Sequence, residues 1–168
     1  MAVARGLRQP VDAVLRVLDR LARGVCVVTI GGMVAIVAAQ VFARYVLNNS
    51  IGWADEISRL LFVWSIFLAI PVAIRTGNHI GIELLTDRLP PRARAALARP
   101  VTALAAALML LVAWQSFAVA FAQWDELMVS VDLSAGLFLL AVGVGGLLSA
   151  LNLLRDAVFV ATGTGADA

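Results

Sequence analysis

Long uncharged apolar runs alternate with short polar segments along this chain. Three runs are long enough to cross a bilayer as helices: Gly24 to Ala43, Pro100 to Trp124 and Leu133 to Leu154. A fourth, Leu60 to Ile74, holds 15 uncharged residues. That is roughly 22 Å of helix at 1.5 Å per residue, against a hydrocarbon core about 30 Å thick. To span, this helix must carry Asp55, Glu56 and Arg59 at or inside the membrane boundary, where ionisable side chains face protein or water rather than lipid. The pattern predicts an all-α integral membrane protein, residues 1–168 forming one domain of four transmembrane helices at about 24–45, 54–75, 100–124 and 133–154.

Ahead of the first span, residues 10–23 are amphipathic. Val11, Val14, Leu15, Leu18, Leu21 and Ala22 share one face, and Asp12, Arg16, Asp19, Arg20 and Arg23 the other. Such a helix suits the cytoplasmic headgroup layer, and a cytoplasmic extension of the first span is an equal reading. The arginine-rich lead of more than 20 residues is too long for the charged start of a signal peptide, so no cleavage is expected.

Composition agrees with the pattern. The apolar fraction is 62%, against roughly 45–50% in soluble domains. The net charge of +2 does not point to nucleic acid, because the arginines flank apolar spans as orientation signals do. Arg5, Arg8, Arg16, Arg20 and Arg23 precede the first span, Arg75, Arg88, Arg92, Arg94 and Arg99 fall between the second and third, and Arg155 follows the fourth. These eleven lie on one side, with only Arg44 and Arg59 on the other, beside Asp125, Glu126 and Asp132. The positive-inside rule places both termini and the 75–99 connection in the cytoplasm.

Catalytic readings fail for want of residues. Cys26 is the sole cysteine and His79 the sole histidine, which excludes intrachain disulfides, a bis-histidine haem and an HExxH zinc site. There is no Gly-rich phosphate loop and no GxSxG motif. No catalytic residue, metal ligand or cofactor site is expected, and the chain reads as a non-enzyme.

The spans read as packing surfaces. Gly31, Ala35, Ala39 and Ala43 recur every fourth residue on the first helix, and Gly145 with Ser149 and Gly146 with Ala150 share that spacing on the fourth. Small residues at this spacing let membrane helices approach closely. On the second helix, Trp53, Glu56, Leu60, Trp64, Phe67 and Pro71 fall within a narrow arc, with Asp55 and Arg59 alongside at i and i+4. One reading is an interfacial Trp53 with a salt bridge that neutralises Arg59. The other is a contact surface for a second membrane protein or a lipid headgroup, formed by Trp53, Asp55, Glu56, Arg59, Trp64 and Phe67.

The residues from Arg44 to Glu83 resemble the small membrane subunit of tripartite ATP-independent periplasmic (TRAP) transporters. The resemblance rests on Arg44-Tyr45, Asn48, Trp53, Asp55-Glu56, Arg59, Phe62 with Trp64, Phe67-Leu68, Arg75, Gly77, His79-Ile80 and Glu83. The chain departs from the family pattern at Leu47, where Phe is common, at Ala69, where Gly is common, and in a fourth span without prolines. The resemblance implies a non-catalytic subunit that scaffolds a large permease subunit for ion-gradient-driven uptake of an organic acid. It also implies a periplasmic solute-binding protein that delivers the acid, and a place in the bacterial inner membrane among its lipids. A stand-alone four-helix exporter or a membrane assembly factor is the alternative. The exporter would need an essential intramembrane acid, and Glu56 is the only near approach.

Overall fold

The structure is a computed structural model. It describes the backbone of residues 2–75 and 91–161, and side-chain surroundings for 15–74, 100–155 and 157. The described residues form four helices, α1 (Ala2–Val46), α2 (Ala54–Arg75), α3 (Pro91–Ala122) and α4 (Gly136–Ala161). Each contains a stretch long and apolar enough to cross a membrane: Leu15–Val46, Ala54–Ile74, Pro100–Ala122 and Gly136–Arg155. The chain is therefore a four-span, all-helical membrane protein.

α1 runs without a break through the amphipathic lead. The buried side of its lower half is not the one that the lead's polarity suggested. Leu15, Asp19, Ala22, Cys26 and Thr29 are buried, while Leu21 is 61% exposed. Asp19 thus falls on the packed face.

Local chemistry sets the helix ends. Asn48 adopts φ 49°, a left-handed conformation that asparagine tolerates better than most residues. With the chain so turned, the Ala43 carbonyl accepts the N–H groups of both Leu47 (3.2 Å) and Asn49 (3.1 Å), which closes α1. Pro91 opens α3, where a missing N–H costs nothing. Ser134 caps α4, its Oγ accepting the Gly136 N–H at 3.1 Å.

Packing runs in the order α1, α2, α4, α3: α2 lies against α1 and α4, and α3 lies chiefly on α4. Of the most apolar 18 residues in each span, 6% are buried in α1 and 44% in α4, so α4 is the centre of the bundle and α1 its edge. Between α1 and α2, the Cys26 thiol donates to the Ser65 carbonyl at 3.4 Å. Ala22, Cys26 and Leu68 form an apolar cluster, with Trp64, Val72, Val144 and Leu148 packed around it.

Glycines make the α4 contacts possible. A Cβ on Gly145 would lie 2.8 Å from the Phe67 carbonyl carbon of α2. One on Gly143 would meet the Phe117 ring of α3 at 3.1 Å, and one on Gly136 the Ala120 carbonyl oxygen at 2.6 Å. Gly146 faces Ala113 and Met109 of α3 at 3.4 Å. The expected ridge of Gly31, Ala35, Ala39 and Ala43 is divided. Ala43 is buried, whereas a Cβ on Gly31 would meet nothing within 4 Å, and Ala35 and Ala39 are exposed. Those three lie open among the described residues, because α2 takes the other side of α1.

Candidate functional site

The conspicuous polar arrangement lies where α1 ends, α2 begins, α3 ends and α4 begins. Tyr45, Trp53, Phe121 and Trp124 stand exposed around this end, the positions that amphipathic rings take at a membrane–water boundary. The residues 123–135 fold back as a short hairpin. The Ala135 N–H donates to the Glu126 carbonyl (2.8 Å) and the Met128 N–H to the Leu133 carbonyl (2.8 Å), with an antiparallel bridge between Leu127 and Ser134.

Glu56 holds the hairpin tip. One carboxylate oxygen accepts the Val129 N–H at 2.9 Å and the other the Ser130 N–H at 2.8 Å. These amides sit at the turn, where the hairpin's own cross-bonds do not use them, and a carboxylate is a strong acceptor for such groups. Glu56 and Asp55 also lie in the first turn of α2, where the helix dipole favours negative charge. Asp55 turns outward and accepts from Arg59 Nη2 at 3.1 Å, both side chains about two-thirds exposed.

The anticipated α2 stripe is therefore divided. Glu56 is engaged with the hairpin, Trp64 packs on the α1–α2–α4 cluster, and the Phe67 backbone lies against Gly145. Trp53, Asp55 and Arg59 remain open. The outward face of α2 continues through Phe62 and Ile66, 49% and 42% exposed. The arc is shared in this way because α2 sits between two helices and its bulky residues fill both seams. The second-helix acid pair splits likewise, one carboxylate bound inside the chain and one displayed.

Of the motif residues, Arg44 and Tyr45 are exposed in the last turn of α1, Asn48 is the helix stop, and Arg75 ends α2. His79 and Glu83 lie outside the described residues. The Val129 and Ser130 amides escaped sequence reasoning, since a backbone N–H leaves no mark in a residue pattern. The one related signal is the short second span, which carries Glu56 to the membrane boundary where a carboxylate needs a partner.

The profile of the family described as "Tripartite ATP-independent periplasmic transporters, DctQ component" matches residues 33–163. The chain belongs to this family. Among its relatives, the sialic acid TRAP transporter small permease protein SiaQ of Vibrio cholerae is 27% identical over 82 residues, 49% of this chain and 47% of that protein. The ectoine TRAP transporter small permease protein TeaB of Halomonas elongata is 26% identical over 122 residues, 71% and 63% of the two chains. The sialic acid TRAP transporter permease protein SiaT of Haemophilus influenzae is 37% identical over 59 residues, 35% of this chain but only 10% of that protein. The chain spans about half the length of SiaQ and of the "Putative TRAP transporter small permease protein" of Haemophilus influenzae. With family and fold in hand, the chain is a multi-pass membrane component of the TRAP type.

Proposed function

We propose that this chain is the non-catalytic small permease subunit of a TRAP transporter in the bacterial inner membrane, with both termini in the cytoplasm. It binds a large permease subunit and extends the fixed scaffold against which the transport elements move, as repeat-based transporters rock one part against another. A periplasmic solute-binding protein delivers an organic acid, and an ion gradient drives uptake. The family match across residues 33–163 carries this reading. Further support comes from the similarity to SiaT, where a related segment occupies a tenth of a longer permease chain. A unit carried within a permease works beside it.

Two open surfaces suit the large subunit. One is the Gly31, Ala35 and Ala39 ridge of α1, whose small residues would admit a foreign helix. The other is Trp53 with the Asp55–Arg59 pair, a polar-edged aromatic patch of the sort enriched at interface hot spots. Glu56, Trp64 and Phe67 support that patch from within. The remaining apolar surface of α1 and α3 meets lipid.

The experiment is copurification of a large TRAP permease subunit with this chain, together with uptake in cells that lack this chain. Deletion should abolish uptake, and Gly31→Leu should release the large subunit while this chain stays folded. Full uptake in the deletion strain, with the large permease present, overturns the proposal.

A further inference from the structure

We propose that one water molecule is bound inside the bundle where α4 faces α2, held between Ser149 and Asn152.

Ser149 is 0% and Asn152 2% exposed, and Ser149 Oγ and Asn152 Oδ1 have no hydrogen-bond partner among the described residues. Neither oxygen can reach a neighbouring subunit or a lipid headgroup from there. Three other buried helical hydroxyls behave differently. Thr29 returns its O–H to the Val25 and Cys26 carbonyls, Ser58 to Asp55 and Ser65 to Phe62. Ser149 makes no such bond, so its hydroxyl is directed to something else. Leaving a buried polar group unpaired costs about 1–3 kcal/mol, and no water from a surrounding lipid phase offsets it.

The facing wall is α2, which leaves a backbone group of its own without a helical donor. Pro71, fully buried, has no N–H to give to the Phe67 carbonyl one turn earlier. That carbonyl lies against Gly145, one turn before Ser149 on α4. Helices two apart in the chain cross the membrane in the same direction, and Val72 and Leu148 pack on one cluster, so Ser149 stands level with Pro71. Proline in a membrane helix is tolerated where serine, threonine or an ordered water satisfies the freed backbone group.

The donor and acceptor pattern selects water. Ser149 donates its O–H to the water oxygen, and a water proton goes to Asn152 Oδ1. Residues three apart on a helix have Cβ atoms about 5–6 Å apart, a gap that one water spans with two bonds of about 2.8 Å. Buried waters make about two to four such bonds. Two neutral oxygens are too few to replace the hydration shell of a cation.

Thermal unfolding of the purified full chain in detergent tests this, with Ser149→Ala, Asn152→Leu and the double variant. If the oxygens share a water, each single change strands the other's partner and lowers Tm by about 2–4 °C. The double variant then falls no further than the worse single one, because both act on one bound molecule. A Tm at or above the parent for either single variant overturns the proposal, since deleting an unsatisfied oxygen is stabilising. Additive losses overturn it too. A water-resolving density map of the parent gives a second readout: a peak within hydrogen-bond reach of both oxygens is expected, and its absence refutes the site.

Discussion

Glu56 on α2 accepts the N–H of Val129 at 2.9 Å, joining residues 73 apart in sequence. With the matching bond to Ser130 at 2.8 Å, it ties the α3–α4 hairpin to the start of α2 across the aromatic end of the bundle. A carboxylate near a membrane boundary must be solvated by something, and here the chain's own backbone does it.

Glu56→Ala should therefore release the hairpin rather than unfold the bundle. Loss of two charge-assisted bonds near the surface is worth about 1–2 kcal/mol, a factor of roughly 5 to 30 in a local opening equilibrium. Hydrogen exchange at Val129 and Ser130 should accelerate by that factor, with the spans unchanged. Unaltered exchange would mean that the clasp is not formed in the membrane.

Glycine substitutions on α4 should separate by neighbour. Gly145→Ala drives a methyl group into the Phe67 backbone, at 2.8 Å from its carbonyl carbon, and overpacking of this kind costs about 1–3 kcal/mol. Gly146→Ala meets Ala113 at an ordinary 3.4 Å and should be near neutral, whereas Gly146→Leu should reduce the amount of folded protein. Size-exclusion yield and Tm in detergent measure all three. Equal behaviour of the two alanine variants would contradict the parallel α2–α4 seam.

Arg59→Ala removes an exposed i, i+4 ion pair with Asp55. Pairs of this type contribute about 0.3–0.5 kcal/mol, so Tm should barely move. Copurification of the large permease should nonetheless fall if the Trp53–Asp55–Arg59 patch is its contact. A normal yield of complex would remove that patch from the interface.

Cys26 is buried between α1 and α2, with its thiol 3.4 Å from the Ser65 carbonyl. A maleimide should label it slowly in the native protein and rapidly once SDS separates the helices. Fast native labelling would show α1 detached from α2.

Topology follows from the arginines. Reporters fused after Ala168 and within residues 90–99 should read cytoplasmic, and one in the 125–132 hairpin periplasmic, because eleven arginines lie on the first side and two on the second. A hairpin reporter that reads cytoplasmic would invert the bundle.

The four spans were legible because apolar length is a one-dimensional property, and bilayer thickness sets its scale. The i, i+4 pairing of Asp55 with Arg59 was legible for a related reason: helical spacing alone places the two side chains together. Gly145 and Gly146 could be marked as close-approach positions, since only small residues admit a neighbouring backbone. The ridge at Gly31, Ala35 and Ala39 carried the same mark and lies open, because spacing reports that a surface can be packed and not which helix packs it.

What the sequence by itself determined is therefore the class of molecule, the number of spans and the polar residues confined at their ends. All of these follow from the cost of exposing charge and backbone to hydrocarbon. The tertiary structure decided the neighbours. Packing α2 between α1 and α4 turned Trp64 and Phe67 inward, left Asp55 and Arg59 outside, and brought a hairpin far along the chain to Glu56. Those contacts depend on the order in which helices lie side by side, and on backbone groups such as the Val129 N–H and the Phe67 carbonyl, which every residue carries and no sequence pattern distinguishes.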